Sequence, residues 1–370
     1  MSSDYSPDGD FALKYNDYRR VRREVSVGSL KIGGSSPISI QSMTNTDTHD
    51  IDATYNQAVR LREAGCDILR ITAPDIESVA TFTELKARGI DMPLVADIHF
   101  DYKIALAAVG AGVDKIRLNP GNIGDKAKIR AVVDACRERS VPIRIGVNSG
   151  SLEADLLRKY GSPTAEALAE SALYHAGLLL DLDFRDIILS VKSSDVQTMI
   201  AANRILAERT DLPIHLGVTE AGAREPAIVK SSIGIGTLLA EGIGDTIRVS
   251  LTDDPVQEIY AARRILDSLS LNEEAGMDIV SCPTCGRTRI DLISLLARFE
   301  ERVRAEGLDS KPIKVALMGC AVNGPGEARE ADIGIAGGVG EALLFKKGVI
   351  IRKIKEESLI DELIGEIKAM

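Results

Sequence analysis

Tryptophan is absent, and aromatic residues make up only 4% of the 370-residue chain. So few stacking side chains argue against a single-stranded nucleic-acid surface. A formal net charge of −10 works against non-specific attraction to DNA or anionic membranes. No apolar run reaches the roughly 18 residues of a membrane span, and the first residues are polar and acidic, unlike a secretory leader. Neither nucleic acid nor membrane is therefore expected as a partner, and the expected compartment is the cytoplasm. There, 5 cysteines stay reduced. What is present is ordinary globular material, 45% hydrophobic and 27% charged, with the length of two domains.

Three of the cysteines gather near the C-terminus. Cys282-Pro-Thr-Cys285 lies on a Pro-Gly turn, and Cys320 follows on a second glycine-rich turn, Gly319-Cys-Ala-Val-Asn-Gly-Pro-Gly-Glu327. In a reducing compartment such thiols point to a metal rather than a disulfide. A closed zinc site needs four ligands, mostly Cys or His, yet His49, His99, His175 and His215 all lie far upstream. The fourth ligand here is a carboxylate, a water or a substrate, and Glu327 is the nearest carboxylate. An iron–sulfur cluster with one open iron fits this count better than a degenerate zinc knuckle, which stays as the alternative. Cys66 and Cys136 read as small core hydrophobes.

Upstream, a short apolar strand followed by a helix-period segment recurs. Strands are expected at 37–43, 67–72, 93–98, 114–118, 142–147, 186–192, 213–218 and 245–251. Helices are expected near 53–64, 75–88, 101–110, 125–139, 164–180, 194–209, 222–240 and 255–268. This is the α/β pattern of a (β/α)8 TIM barrel. A doubly wound open sheet is the alternative, but no glycine fingerprint opens the first helix. A hairpin is expected around Gly28-Ser29. The domain reading is an N-terminal arm at 1–23, a barrel at 24–268, and a small α+β metal domain at 269–370.

The strand ends are unusually polar. Residues two apart share a face, so Arg70 and Thr72, Asp97 and His99, Arg117 and Asn119, Arg144 and Asn148, and Arg248 and Ser250 pair up, with Lys192 and Thr219 at two further ends. In a barrel these ends converge on the functional face. Guanidiniums favour bidentate contact with phosphate, and so many donors suit a diphosphate. The only acids at these ends are Asp97 and Glu220, and Glu220 is the candidate proton donor, its proton held in a dry mouth. His99 is a candidate donor to phosphate. Inside a strand, His215 reads as core packing.

Together Gln41-Ser-Met-Thr, Val95-Ala-Asp-Ile-His, Arg117-Leu-Asn-Pro-Gly-Asn, Ile143-Arg-Ile-Gly-Val-Asn, Leu216-Gly-Val-Thr-Glu-Ala-Gly, Cys282-Pro-Thr-Cys and Gly319-Cys-Ala-Val-Asn-Gly-Pro-Gly-Glu resemble the (E)-4-hydroxy-3-methylbut-2-enyl diphosphate synthase family, in its shorter two-domain form, from about residue 20 onward. The resemblance implies reductive ring opening of 2-C-methyl-D-erythritol 2,4-cyclodiphosphate in the non-mevalonate isoprenoid pathway. It implies a [4Fe-4S] cluster on Cys282, Cys285, Cys320 and Glu327, and Glu220 protonating the departing hydroxyl. It implies a diphosphate held by Arg70, Arg117, Arg144, Lys192 and Ser250, with Asn148, Thr219, His99 and Asp97 around it. Ferredoxin or flavodoxin is the implied electron donor, and a head-to-tail homodimer the implied assembly.

Overall fold

The computed structural model describes residues 19–272, 276–321, 326 and 328–370, and the chain divides into two compact units, Met1–Asn272 and Glu273–Met370. The first unit opens with an antiparallel hairpin, β1 (Val25–Val27) and β2 (Leu30–Ile32). It turns at Gly28, whose φ of +57° favours glycine. Eight strands follow: β3 (Ser39–Met43), β4 (Ile68–Thr72), β5 (Leu94–Asp97), β6 (Lys115–Leu118), β7 (Ile143–Asn148), β8 (Ile187–Lys192), β9 (His215–Leu216) and β10 (Thr246–Ile247). Each pairs parallel with its sequence neighbour, and β10 returns to β3. A single bridge, Leu189↔Ile214, joins β8 to β9, so the sheet is a nearly closed barrel, with no open-sheet reversal of strand order.

The last two strands are shorter than their sequence pattern suggests. Beyond Leu216 and Ile247 regular pairing lapses, although the Arg248 N–H still donates to the Leu216 carbonyl at 2.9 Å. The carbonyl of Arg248 lies 2.7 Å from where a Cβ on Gly217 would sit, an approach only glycine allows.

The helices between strands are α1 (Ile51–Glu63), α2 (Ala80–Ala87), α3 (Tyr102–Gly110), α4 (Lys126–Glu138), α5 (Ala165–Leu180), α6 (Val196–Arg209), α7 (Arg224–Ala240) and α8 (Pro255–Ser268). Asp50, Asp101, Asp125, Asp195 and Asp254 each accept a backbone N–H at a helix start, satisfying donors that the first turn leaves unpaired. Two short helices absent from the sequence reading, Pro120–Ile123 and Ala154–Tyr160, sit in the loops after β6 and β7. Among the described residues no helix is long and apolar enough to cross a membrane.

The hairpin plugs the barrel base: Val25, Val27 and Ile32 cluster with Ile68, Val95 and Ile188. The segment just before it, read as part of an arm, is docked rather than solvated. Arg19 pairs with Asp245 at 2.8 Å, and Arg22 donates to the Ala207 carbonyl at 2.8 Å. The rest of the arm, 1–18, lies outside the described residues.

The second unit runs β11 (Asp278–Ser281), α9 (Leu292–Ala305), β12 (Lys314–Met318), β13 (Ile333–Gly337), β14 (Glu341–Lys346), β15 (Val349–Lys355) and α10 (Leu359–Ala369). The strands lie in sequence order, β11 to β13 parallel and β13 to β15 antiparallel. The crossover helix α9 makes the first parallel pair possible. Its Phe299 and Val303 bury against Val315, Leu317, Ile333 and Ile335.

Because Ile32 is fully buried in the plug, Ile32→Ala should destabilise the barrel by about 2–5 kcal/mol in urea unfolding. A loss below about 1 kcal/mol would mean that the hairpin is not part of the core.

Candidate active site

Strand register and alternation stack the inward side chains of the barrel in tiers of four, contributed by alternate strands. The lowest holds Ile68, Lys115, Ile188 and Thr246. Above it come Gln41, Val95, Arg144 and His215, then Arg70, Arg117, Ser190 and Arg248. The next tier is Met43, Asp97, Gly146 and Gly217. Barrel cores are ordinarily branched and apolar, but here the middle is polar and almost wholly buried.

The two glycines make room for cations. A Cβ on Gly146 would collide with Arg117 Nε, and one on Gly217 would lie 2.9 Å from Lys192 Nζ. Asp97 joins two guanidiniums: Arg70 donates to its Oδ2 at 2.5 Å and Arg117 to its Oδ1 at 3.3 Å. Burial pushes the Asp97 carboxyl up, but Arg70, Arg117 and His99 together outweigh it and hold the group at about 2. Arg144 is 1% exposed, and its hydrogen-bond acceptor is the neutral Gln41 Oε1, at 3.4 Å.

Arg248 is a correction. Glu258, on α8 and 2% exposed, takes its Nη2 at 2.8 Å and its Nε at 3.1 Å, and also accepts from Ser42 Oγ at 2.8 Å. The acids at this end are therefore not limited to Asp97 and Glu220, and Arg248 is already neutralised. Its Nη1 donates to Ser250 Oγ at 2.7 Å, which orients that hydroxyl. Six buried or half-buried basic groups (Arg70, Lys115, Arg117, Arg144, Lys192, Arg248) thus face two buried carboxylates, Asp97 and Glu258.

The rim carries the remaining candidates. Asn148 ends β7, half-buried, and Thr219 is half-buried beyond β9. His99 is exposed rather than buried, with Nε2 3.9 Å from Asp97 Oδ2. Glu220 is also exposed in this unit, where the sequence reading expects a dry mouth around it. Its backbone is left-handed, φ +50°, a strained geometry for a non-glycine residue and one that clusters at functional sites.

In the second unit, Cys282 directly follows β11 and Cys320 lies two residues past β12. Ser281 is level with Leu317 on the neighbouring parallel strand, so both thiols leave the same edge of the sheet. The Gly319 N–H donates to Cys282 Sγ at 3.2 Å, and the Arg289 N–H to the Gly319 carbonyl at 2.9 Å. The Cys285 N–H donates to Thr288 Oγ1 at 3.0 Å. A Cβ on Gly319 would meet Thr288 Cγ2 at 2.8 Å, so the two cysteine turns need glycine to lie this close. Cys282 and Cys320 are half-buried, Cys285 is exposed, and none is in a disulfide. Among the described residues no three His, Cys, Asp or Glu side chains converge as they do around a single ion. Glu327 lies outside the described residues. Cys66 and Cys136 are buried, and desolvation pushes both thiols up to about 12, as inert core groups should be.

Two family models match this chain: the GcpE TIM-barrel domain over residues 22–263 and the GcpE protein C-terminal domain over 278–369. The chain belongs to the GcpE family. A curated relative from Clostridium perfringens, named 4-hydroxy-3-methylbut-2-en-1-yl diphosphate synthase (flavodoxin), is 57% identical over 95% of this chain and 99% of its own. One of the same name from Caldanaerobacter subterraneus is 54% identical over 95% and 98%. Among solved structures, a type I 3-dehydroquinate dehydratase from Clostridium difficile covers 68% of this chain and 98% of its own, with a TM-score of 0.50 at 16% identity. A dihydropteroate synthase from Thermus thermophilus covers 67% and 99%, with a TM-score of 0.50 at 14% identity. These likenesses concern the barrel fold alone.

Sequence reasoning missed Lys115 and Glu258 in this GcpE-family barrel. Lys115 had a signal, since it stands two residues before Arg117 and shares its face. Glu258 interrupts the apolar stripe of α8 between Pro255 and Ile259, a charged residue at a core position.

Asp97→Asn should cost several kcal/mol at neutral pH, because it leaves two buried guanidiniums unpaired. The Asp97 share, about 2 kcal/mol, is fully present above pH ~3.8 and is lost as pH falls toward 2, because its folded value is the lower one. Urea unfolding of both proteins across that window should show the gap closing. A gap independent of pH would place the effect elsewhere.

Proposed function

We propose that this chain converts 2-C-methyl-D-erythritol 2,4-cyclodiphosphate to 4-hydroxy-3-methylbut-2-enyl diphosphate. Two electrons and one proton are consumed, the ring C–O bond opens, and the departing hydroxyl leaves as water. The observation that carries the reading is the excess of buried and half-buried basic side chains in the barrel core, five besides Lys115 against two carboxylates, which a bound diphosphate offsets. Arg70, Arg117, Arg144, Lys192 and Ser250 hold the diphosphate, and Asn148, Thr219 and His99 bound it at the rim. Asp97 keeps Arg70 and Arg117 aimed. Glu220 gives its proton to the hydroxyl as the C–O bond breaks. Three arginines and a lysine next to the anion also lower the barrier by stabilising the charge that develops on the released diphosphate oxygen.

The thiols Cys282, Cys285 and Cys320 fit a [4Fe-4S] cluster. They are soft donors on adjacent turns, one already accepts a backbone N–H, and the crowding at Gly319 keeps the turns together. Glu327 is the fourth ligand in this reading. Such a cluster, when bound, supplies electrons one at a time to the substrate. The donor to it is flavodoxin, named for the relatives, or a ferredoxin. The assembly is a head-to-tail homodimer in which the cluster domain of one chain serves the barrel of the other. The last barrel helix, α8, ends at the base, whereas the cation-rich face is at the opposite end.

Anaerobic Glu220→Gln protein should keep about four iron and four sulfide per chain and lose turnover by about 100-fold or more. Cys320→Ser should lose the cluster with the barrel still folded. Co-expressed heterodimers of the two should regain turnover, because one barrel with Glu220 then meets one intact cluster. Inactive heterodimers would reject the shared site. Near-normal Glu220→Gln rates would remove that residue from the chemistry.

A further inference from the structure

Lys115 has no contact role in the site described above, yet it is the most deeply set basic side chain of the barrel interior. It is 0% exposed, and its Nζ has no hydrogen-bond partner among the described residues. Below it lies the apolar plug of Val25, Val27 and Ile32 with Ile68 and Ile188. The charged and titratable groups that face it come from above. Arg144 on β7, Arg70 on β4 and His215 on β9 act on it most directly, and further up the barrel stand Asp97 on β5, Lys192 on β8 and Arg248 on β10, with Glu258 of α8 behind Arg248. β3 offers only the neutral Gln41. Asp97 is committed to Arg70 and Arg117, and Glu258 to Arg248, so neither carboxylate serves Lys115. Both ring nitrogens of His215, Arg144 Nε and Gln41 Nε2 are likewise buried without partners.

An ammonium here would be a desolvated charge with no acceptor, next to more cations, an arrangement that costs several kcal/mol. The arginines remain charged whatever their surroundings, so relief of the repulsion falls to the two buried lysines, and of these Lys115 is the deeper, with a buried Nζ that has no partner among the described residues, whereas Lys192 lies at the level of the anion. An unprotonated amine also has a lone pair to accept from Arg144 or His215. We infer that Lys115 is the charge-compensating group of the anion site: it holds a neutral amine in the free barrel and takes one proton from solvent when a diphosphate seats on the arginines above it. Burial, then Arg144 and Arg70, drive the ammonium well below the ordinary lysine range in the free barrel, which agrees with this geometry. The inference rests on the diphosphate reading of the barrel and deepens it. Substrate affinity becomes linked to pH from beneath the site, through a residue that does not touch the reacting carbon.

The test is calorimetric titration of the full chain with inorganic diphosphate at pH ~8, in two buffers of different ionisation heat. Wild type should take up about one more proton per site than Lys115→Met, while both bind. The ligand's own protonation is common to the two and cancels. Equal uptake in both would overturn the role of Lys115 and leave the anion site standing. Binding by neither would overturn both readings. Lys115→Met should also be at least as stable as wild type at neutral pH. That advantage should narrow as pH rises toward ~10.4, because the folded lysine binds fewer protons than the unfolded one. If Lys115→Met fails to fold, the lysine Cε resonances of labelled wild type give the answer. One should sit at the neutral-amine position, move to the ammonium position with diphosphate, and survive in Lys192→Met. All resonances at the ammonium position in the free protein would refute the inference.

Discussion

Charge balance inside the barrel is the constraint on which the rest of the molecule depends. A polar core of this kind is costly without counter-ions, and the chain supplies only part of the compensation. Asp97 serves Arg70 and Arg117, and Glu258 serves Arg248. In the proposed reaction Arg144 and Lys192 are matched by the bound diphosphate. The fold is organised to make that remaining positive charge tolerable. An apolar plug closes the base, inward glycines give the long cationic side chains space, and in the proposed reaction the anion seats at the opposite end.

The same constraint explains the strand irregularities. Gly146 and Gly217 occupy the tier directly above the arginines, where a side chain would collide with Arg117 or Lys192. The close approach of Arg248 to Gly217 lies where regular pairing of β9 and β10 ends. The barrel is thus least regular where it is most functional, as expected where site geometry takes precedence over ladder hydrogen bonds. In the second unit a similar compromise appears at Gly319, which brings two cysteine turns within hydrogen-bonding distance.

Much of this was legible in the sequence. The eight-fold alternation of apolar strand and amphipathic helix pointed to the barrel, because both periodicities are set by local geometry. The face-sharing rule put Arg70, Arg117, Arg144 and Asn148 on one side. It was less informative about depth: His99 and Glu220 proved exposed, since both lie beyond the last paired residue of their strands. Glu258 escaped because its partner, Arg248, is on a different element, and pairing between a helix and a strand end leaves no periodic trace. The docking of Arg19 and Arg22 was hidden for the same reason, their partners being 226 and 185 residues away.

The measurement that reaches the central claim most directly is thermal unfolding of the full chain with inorganic diphosphate, against chloride at matched ionic strength. If the barrel cations await a polyanion, diphosphate should raise Tm, and the added stability should grow by about 1.4 kcal/mol per tenfold increase in ligand at saturation. A Tm that diphosphate leaves unchanged, or that chloride raises equally, would mean that the core balances its own charge and that the barrel is not built around a bound polyanion.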